Sequence, residues 1–201
     1  MIPLTFYNQN TLIVARSLLG QFIIREYKGK KLIGKIVETE SYVGPKDLAS
    51  HASRGKTERT KIMFGPPGYS YIYLVYGLNY CFNIVTEAKD YPAAVLIRAV
   101  EPIAGIDQMI KNRKLSSRIS HVASRLSNLT NGPGKFCQAF AIDKNLNDHP
   151  LNKKPLSLEW GEKIKPSQIV KSTRIGVDYA GEYAKKKWRF YIKGNPFVSK
   201  K

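Results

Sequence analysis

Acidic side chains are the scarce class in this chain: 15 Asp and Glu stand against 33 Lys and Arg in 201 residues, leaving a net charge of +18. The excess is not confined to a tail, since the first hundred residues hold 13 basic and 7 acidic side chains and the remainder 20 and 8. A basic surface rather than a basic arm is implied. Two readings stand: nucleic acid is the partner, through counterion release from phosphates, or the charge only keeps the protein in solution. Cysteine is nearly absent. Cys81 and Cys137 each lie in apolar sequence, away from any CxxC pair, so buried, reduced thiols are expected and a disulfide framework is not. With three histidines and no HExxH, no metal cage is expected. No apolar run approaches the roughly 20 residues of a membrane helix, and Met1 to Tyr7 has neither the basic nor the apolar region of a secretory signal. An intracellular protein without membrane contact is the expectation.

The length suits one compact domain over 1–201, and a hydrophobic fraction of 43% is enough to fill its core. Asn10-Thr11 before Leu12, Ile13, Ala15, Leu18 and Leu19, with Gly20 as a stop, predicts a capped amphipathic helix. Gln21 to Glu26 and Lys31 to Val43 read as strands around a Lys28-Gly29-Lys30 turn. From Gly44 to Gly68 the chain is polar, basic and broken by Pro45, Pro66 and Pro67. A loop of that length inside a small domain usually serves function. Tyr69 to Tyr76 and Tyr80 to Thr86 flank Gly77-Leu78-Asn79 as a hairpin with a tyrosine at its tip. A strand from Ala93 to Val100 is expected to end at Glu101-Pro102. Helices are predicted over Ile106 to Lys114 and from Gly132 through Ile142, and a last strand over Trp188 to Lys193. The stretch between them, Lys114 to Asn131, is basic and Ser-rich.

Period-two alternation puts Glu38, Glu40 and Tyr42 on one face of a strand and Val37, Thr39 and Ser41 on the other. Two adjacent carboxylates beside a basic loop suit acid or base chemistry if burial tunes one of them, but surface ion pairing is the commoner arrangement. Tyr42, Tyr71, Tyr73, Tyr76 and Tyr80, with His51, concentrate aromatic rings around that strand and the hairpin. Flat rings beside positive charge fit unstacked bases. Cross-strand packing explains rings equally well and is the better account of Tyr71 and Tyr80. Tyr76 differs, because a large ring beside Gly77 at a hairpin tip has little core to reach. Gly132-Pro133-Gly134-Lys135 lacks P-loop spacing, so no nucleotide cofactor is implied. A helix start with Lys135 could hold one DNA phosphate, or be a plain helix start.

Several segments, taken in order, resemble the alkyladenine (methylpurine) DNA glycosylase family. They are Ala15-Arg16-Ser17-Leu18-Leu19-Gly20, Val37-Glu38-Thr39-Glu40-Ser41-Tyr42, Met63-Phe64-Gly65-Pro66-Pro67-Gly68, Tyr71 to Gly77 and Asn131-Gly132-Pro133-Gly134-Lys135. The likeness spans roughly Leu12 to Ser199 and ends in Arg174-Ile175-Gly176-Val177 and Trp188-Arg189-Phe190-Tyr191-Ile192. Ser41 stands where alanine is usual, and Thr60-Lys61 where Arg-Asn is frequent, a difference that falls on loop contacts and not on the chemistry.

The resemblance implies a mixed α/β (α+β) single domain with a curved, largely antiparallel sheet flanked by helices, and a protruding β-hairpin that inserts into DNA. It implies an enzyme of base excision repair acting as a monomer on double-stranded DNA that contains damaged purines, with no cofactor and no metal. Its location would be the cytoplasm, with the nucleoid, in a bacterium and the nucleus in a eukaryote. It also implies roles: Glu40 as the general base on an attacking water, with Arg98 and the Val177 carbonyl completing that water's site. Tyr42, His51 and Tyr73 would be the walls around the extruded base, Asn83 the residue that crowds a guanine amino group, and Tyr76 the wedge. Lys135 is kept as a phosphate contact. The competing reading from another class is a basic nucleic-acid-binding module without catalysis.

Overall fold

The strand that organises the molecule is the 14-residue run Lys30–Val43, here β2, the longest strand among the described residues. In the computed structural model, which describes residues 1–75, 77–115 and 126–200, β2 pairs antiparallel with three others. Its first half pairs with β1 (Phe22–Tyr27) across the tight turn at Lys28 and Gly29. Both turn residues have positive φ, 49° and 70°, which is the backbone a two-residue hairpin with strand-like twist requires. Its second half pairs on the same side with β9 (Arg189–Ile192). Along its other edge runs β5 (Ala93–Ala104), in register from Ile33 opposite Ala104 to Val43 opposite Ala93. Register shifts at Ile36 to Thr39 mark where β1 leaves and β9 takes over.

The remaining strands extend this fork. β3 (Ser70–Val75) and β4 (Asn79–Val85) form the expected hairpin, and β4 joins β5. β6 (Asn152–Lys153) and β7 (Leu156–Glu159) continue past β1, and β8 (Ile169–Ser172) pairs β9. All nine lie in one antiparallel sheet of order β3-β4-β5-β2-β1-β7-β6, with β9 and β8 branching from β2, curled into a half-barrel. The mixed α/β, largely antiparallel fold expected from the sequence is what is observed. At the hairpin tip Leu78 is 77% exposed, and Tyr76 lies outside the described residues.

The helices α1 (Thr11–Ser17), α2 (Ile106–Asn112) and α3 (Pro133–Ala139), among the described residues, cover one face. Asn10 caps α1 by accepting the Leu12 N–H, as its sequence position implies. Thr39 Oγ1 donates to the Ala15 carbonyl, so the Thr39 side of β2 is the helix face. Between helices and sheet lies the main core, with Phe82, Phe136, Phe140 and Phe190 wholly buried. Cys81 and Cys137 are buried and free, as anticipated.

Three boundaries depart from the sequence reading. β5 does not stop at Pro102 but runs on to Ala104. Pro102 faces Gly34 at an irregular step of the ladder, where its missing N–H breaks no regular pairing. The helices end earlier than predicted, at Asn112 and Ala139. The short strands β6, β7 and β8 were not foreseen. The middle of the basic, Ser-rich stretch, 116–125, lies outside the described residues.

Gly20 is the tightest point of the α1 to β1 passage. Its φ is +84°, and a Cβ there would sit 2.1 Å from the Glu162 carbonyl oxygen. Its N–H and C=O are both engaged, with Ile36 and Glu162. Gly20→Ala is expected to cost about 2 to 4 kcal/mol, read as a lower urea midpoint at unchanged slope. A loss below about 1 kcal/mol would show that the passage relaxes freely.

Candidate active site

Opposite the helices, β2 presents the other half of its alternation. Glu38 and Glu40 are both 0% exposed, so surface ion pairing is not what they do. The two carboxylates sit on either side of Arg98 from β5. Arg98 Nη1 lies 3.2 Å from Glu40 Oε2 and its Nε 3.3 Å from Glu38 Oε1, the latter without hydrogen-bond geometry. Arg189, from β9, completes the row by donating to Glu38 Oε1 at 2.9 Å. Two cations and two anions therefore alternate, Arg189, Glu38, Arg98, Glu40. Burial works against the charge on Arg98, but Glu40 and then Glu38 outweigh it and raise its pKa.

The two carboxylates are not equivalent. Glu38 Oε2 accepts the Ser199 N–H at 2.7 Å, and Arg189 also donates to the Lys200 carbonyl, so the C-terminal segment covers this end of the row. Glu40 points the other way. Its Oε1 accepts the Ile175 N–H at 2.8 Å and its Oε2 the Tyr42 O–H at 2.9 Å. Two carboxylate oxygens offer about four acceptor positions, so Glu40 retains capacity beyond its contacts with Ile175, Tyr42 and Arg98.

Those three partners line a cavity of about 440 Å³, within the range of small-ligand sites. Tyr42, His51, Tyr73, Asn83, Arg98 and Val177 all face it, so the sequence reading named residues that the fold brings together from β2, β3, β4, β5 and two loops. Tyr73 and His51 meet edge to face at 4.4 Å. Asn83 is held by donating Nδ2 to the Tyr71 carbonyl across the β3–β4 ladder. The Val177 carbonyl accepts the Ala180 N–H at 2.9 Å. Lys135 is not among the cavity residues; its Nζ donates to Asn131 Oδ1 at 2.8 Å. Tyr76 cannot be placed, since it lies outside the described residues.

Residues 5–196 match the sequence profile of the family described as Methylpurine-DNA glycosylase. The chain belongs to that family. It is 48% identical over 198 residues to a protein of Alkaliphilus oremlandii, covering 98% of this chain and 97% of that one. It is 45% identical over 196 residues to one of Natranaerobius thermophilus, with 96% of each covered. It is 46% identical over 202 residues to one of Methanocella arvoryzae, covering 100% of this chain and 96% of that one. All three carry the name "Putative 3-methyladenine DNA glycosylase".

In this methylpurine-DNA glycosylase family member the loop walls of the cavity are fastened by an ion pair that the sequence did not announce. Asp47 and Arg174 are 127 residues apart in sequence and meet inside, Arg174 Nη2 donating to Asp47 Oδ1 at 2.8 Å and Nη1 to Oδ2. Asp47 also accepts the N–H groups of Val43 and Ala49, and Arg174 reaches the Ser41 and Tyr183 carbonyls. The guanidinium lies over the Tyr42 ring at 4.8 Å. The sequence reading also missed Arg59 and Tyr179 at the cavity and underrated Tyr71, which both packs against its neighbours and faces the cavity. For Tyr80 the packing account holds, since it lies against the main core. The strand period places Tyr71 on the face of Tyr73, the one signal that was there to use; nothing singles out Arg59 among its basic neighbours.

The cavity keeps its aromatic walls uncharged. Burial and then Glu40 push the Tyr42 phenol well up, and burial does the same to Tyr73. His51 is driven down to about 4 by burial, then by Arg59 and Arg54. Proton uptake by His51 is thus favoured in the unfolded chain between pH 6.5 and about 4, and its contribution to stability is lost as pH falls through that window. An NMR titration of the His51 ring is expected to show a midpoint near 4; a midpoint at or above the ordinary histidine value would refute this description of the wall.

Proposed function

We propose that this protein is a DNA repair glycosylase that extrudes an alkylated or deaminated purine from duplex DNA and cleaves its N-glycosidic bond with water, leaving an abasic site. The observation that carries the reading is Glu40: a wholly buried carboxylate with an acceptor position to spare, tied to three residues that line an aromatic cavity. The net charge of +18 and the names of the relatives support DNA as the polymer. The whole chain is read as one catalytic domain working as a monomer, inside the cell where the DNA is, without metal or cofactor.

A base inside the stack cannot be reached, and extruding it costs a few kcal/mol. Stacking on aromatic side chains offsets this by about 1 to 3 kcal/mol per base. Tyr42, His51 and Tyr73 are assigned that part. A purine alkylated at a ring nitrogen is cationic, so neutral rings suit it by cation–π attraction and it leaves readily. Glu40 holds the water, takes its proton and stabilises the positive charge that develops on the sugar, as carboxylates do in glycoside hydrolysis. General-base catalysis contributes about 10² to 10⁴ in rate. Arg98 and the Val177 carbonyl complete the water site, and Asn83 meets the exocyclic edge of the base. Tyr76 is assigned the gap left in the helix and Lys135 a backbone phosphate.

Glu40→Gln is expected to lower release of base from a 3-methyladenine duplex by at least about a hundredfold while lesion binding persists. Release within about tenfold of wild type removes Glu40 from this role, and binding with no release by the wild-type protein returns the chain to a nucleic-acid-binding module. Tyr76→Ala is expected to weaken lesion-duplex binding while the slope of log K against log salt is unchanged, because phosphate contacts are untouched. A fluorescent base beside the lesion reads the extruded fraction directly; an unchanged fraction in Tyr76→Ala makes Tyr76 a packing residue.

A further inference from the structure

A base that carries no positive charge must leave with the electron pair of its glycosidic bond, and nothing assigned so far meets that charge. The proton directions in the wall formed by His51, Arg59 and Tyr71 can be worked out from its geometry. Arg59 Nη2 lies 3.5 Å from His51 Nε2, and the guanidinium covers the Tyr73 ring at 4.9 Å. A guanidinium donates and does not accept, so Nε2 is the accepting nitrogen. His51 is held neutral by burial and by the two arginines, so its one ring proton is on Nδ1. That nitrogen is 3.0 Å from Tyr71 Oη, which is therefore the acceptor in this contact. Arg59 acts on the same phenol, opposing the burial that raises it. The proton of Tyr71 is thereby turned away from His51, and no hydrogen bond to a described residue uses it.

Tyr71 is 2% exposed and borders the cavity beside Tyr73. One neighbour is already committed, since the Tyr42 O–H is given to Glu40; the Tyr73 ring is covered by the Arg59 guanidinium.

We infer that Tyr71 is a catalytic hydrogen-bond donor to the extruded purine, with His51 and Arg59 as the positioning residues that aim it, and that it enables an uncharged base such as hypoxanthine to leave. This rests on the glycosylase reading above and deepens it. As the bond from C1′ to N9 breaks, its electron pair passes into the purine ring, and the Tyr71 O–H meets the resulting negative charge at an acceptor edge of the base. The water oxygen bonds to C1′, and one water proton goes to Glu40. Glu40 returns that proton through solvent to the departing base anion, so Tyr71 keeps its own. A cationic alkylpurine leaves as a neutral molecule and needs this donor least.

The test compares single-turnover release of hypoxanthine and of 7-methylguanine from otherwise identical duplexes. In Tyr71→Phe, which keeps the ring and removes the hydroxyl, the ratio of hypoxanthine to 7-methylguanine release should fall about a hundredfold, the scale of losing one preorganised donor. Arg59→Met frees His51 to take either tautomer, and the same ratio should fall by a smaller factor; Arg59→Lys, which still only donates, should restore it. A ratio within about threefold of wild type in Tyr71→Phe, against the hundredfold expected of a lost donor, overturns the inference. So does a wild-type protein that releases 7-methylguanine but no hypoxanthine. If Tyr71→Phe fails to fold, the ratio in Arg59→Met decides by itself, since that side chain is exposed. Failure of the wild-type protein to release 7-methylguanine overturns the glycosylase reading itself, which keeps the two failures apart.

Discussion

Four charges buried in a row, Arg189, Glu38, Arg98 and Glu40, are the constraint around which the rest of the site is arranged. Each is almost fully removed from water, and an unpaired charge at such depth costs about 3 to 5 kcal/mol when its partner is lost. The row therefore demands that β2, β5 and β9 lie in one register, because each strand contributes at least one member. The bulged step of β2 between Ile36 and Thr39 is where that demand is met. Ser199 and Lys200 are drawn in for the same reason: the Ser199 N–H donates to the Glu38 carboxylate and the Lys200 carbonyl accepts from the Arg189 guanidinium.

What the alternation of β2 could show, it did show. Period two is a local property, and it separates the Thr39 face, bound to α1, from the Glu40 face without knowledge of any partner strand. The Lys28-Gly29 turn and the Asn10 cap are equally local, and both were legible. Pro102 misled because a proline argues against a strand only where its N–H would be used, and that depends on the irregular pairing opposite Gly34. The strands β6, β7 and β8 are 2 to 4 residues long, too short for any periodicity to register.

The candidate site was legible in its residue types and in the family resemblance, but less so in its supports. Glu40, Tyr42 and Tyr73 stand in strands with patterned neighbours. Asp47 and Arg174 stand in irregular segments 127 residues apart, and a polar residue in a loop looks the same whether it faces water or closes a buried pair. The rings posed a related difficulty. Sequence alone makes Tyr71 a packing ring and Tyr73 a wall, although they share a face and lie 5.3 Å apart; burial alone does not separate a core ring from one whose edge borders a cavity.

The division of β2 between β1 and β9 has a kinetic meaning. The stretch from Glu38 to Glu40 has a paired strand on each side, so neither edge of it can fray without breaking a ladder. Across the cavity, His51 and Arg59 belong to a segment built from single helical turns, with Asp47 as its buried anchor. Opening fluctuations of low free energy belong to such weakly laddered segments, and the strand core opens only with global unfolding. The two sides of the cavity are thus held differently, one by ladders on both edges and the other by single turns and a buried ion pair. The carboxylate is carried by the doubly laddered strand, and the facing wall by the segment that opens at lower free energy.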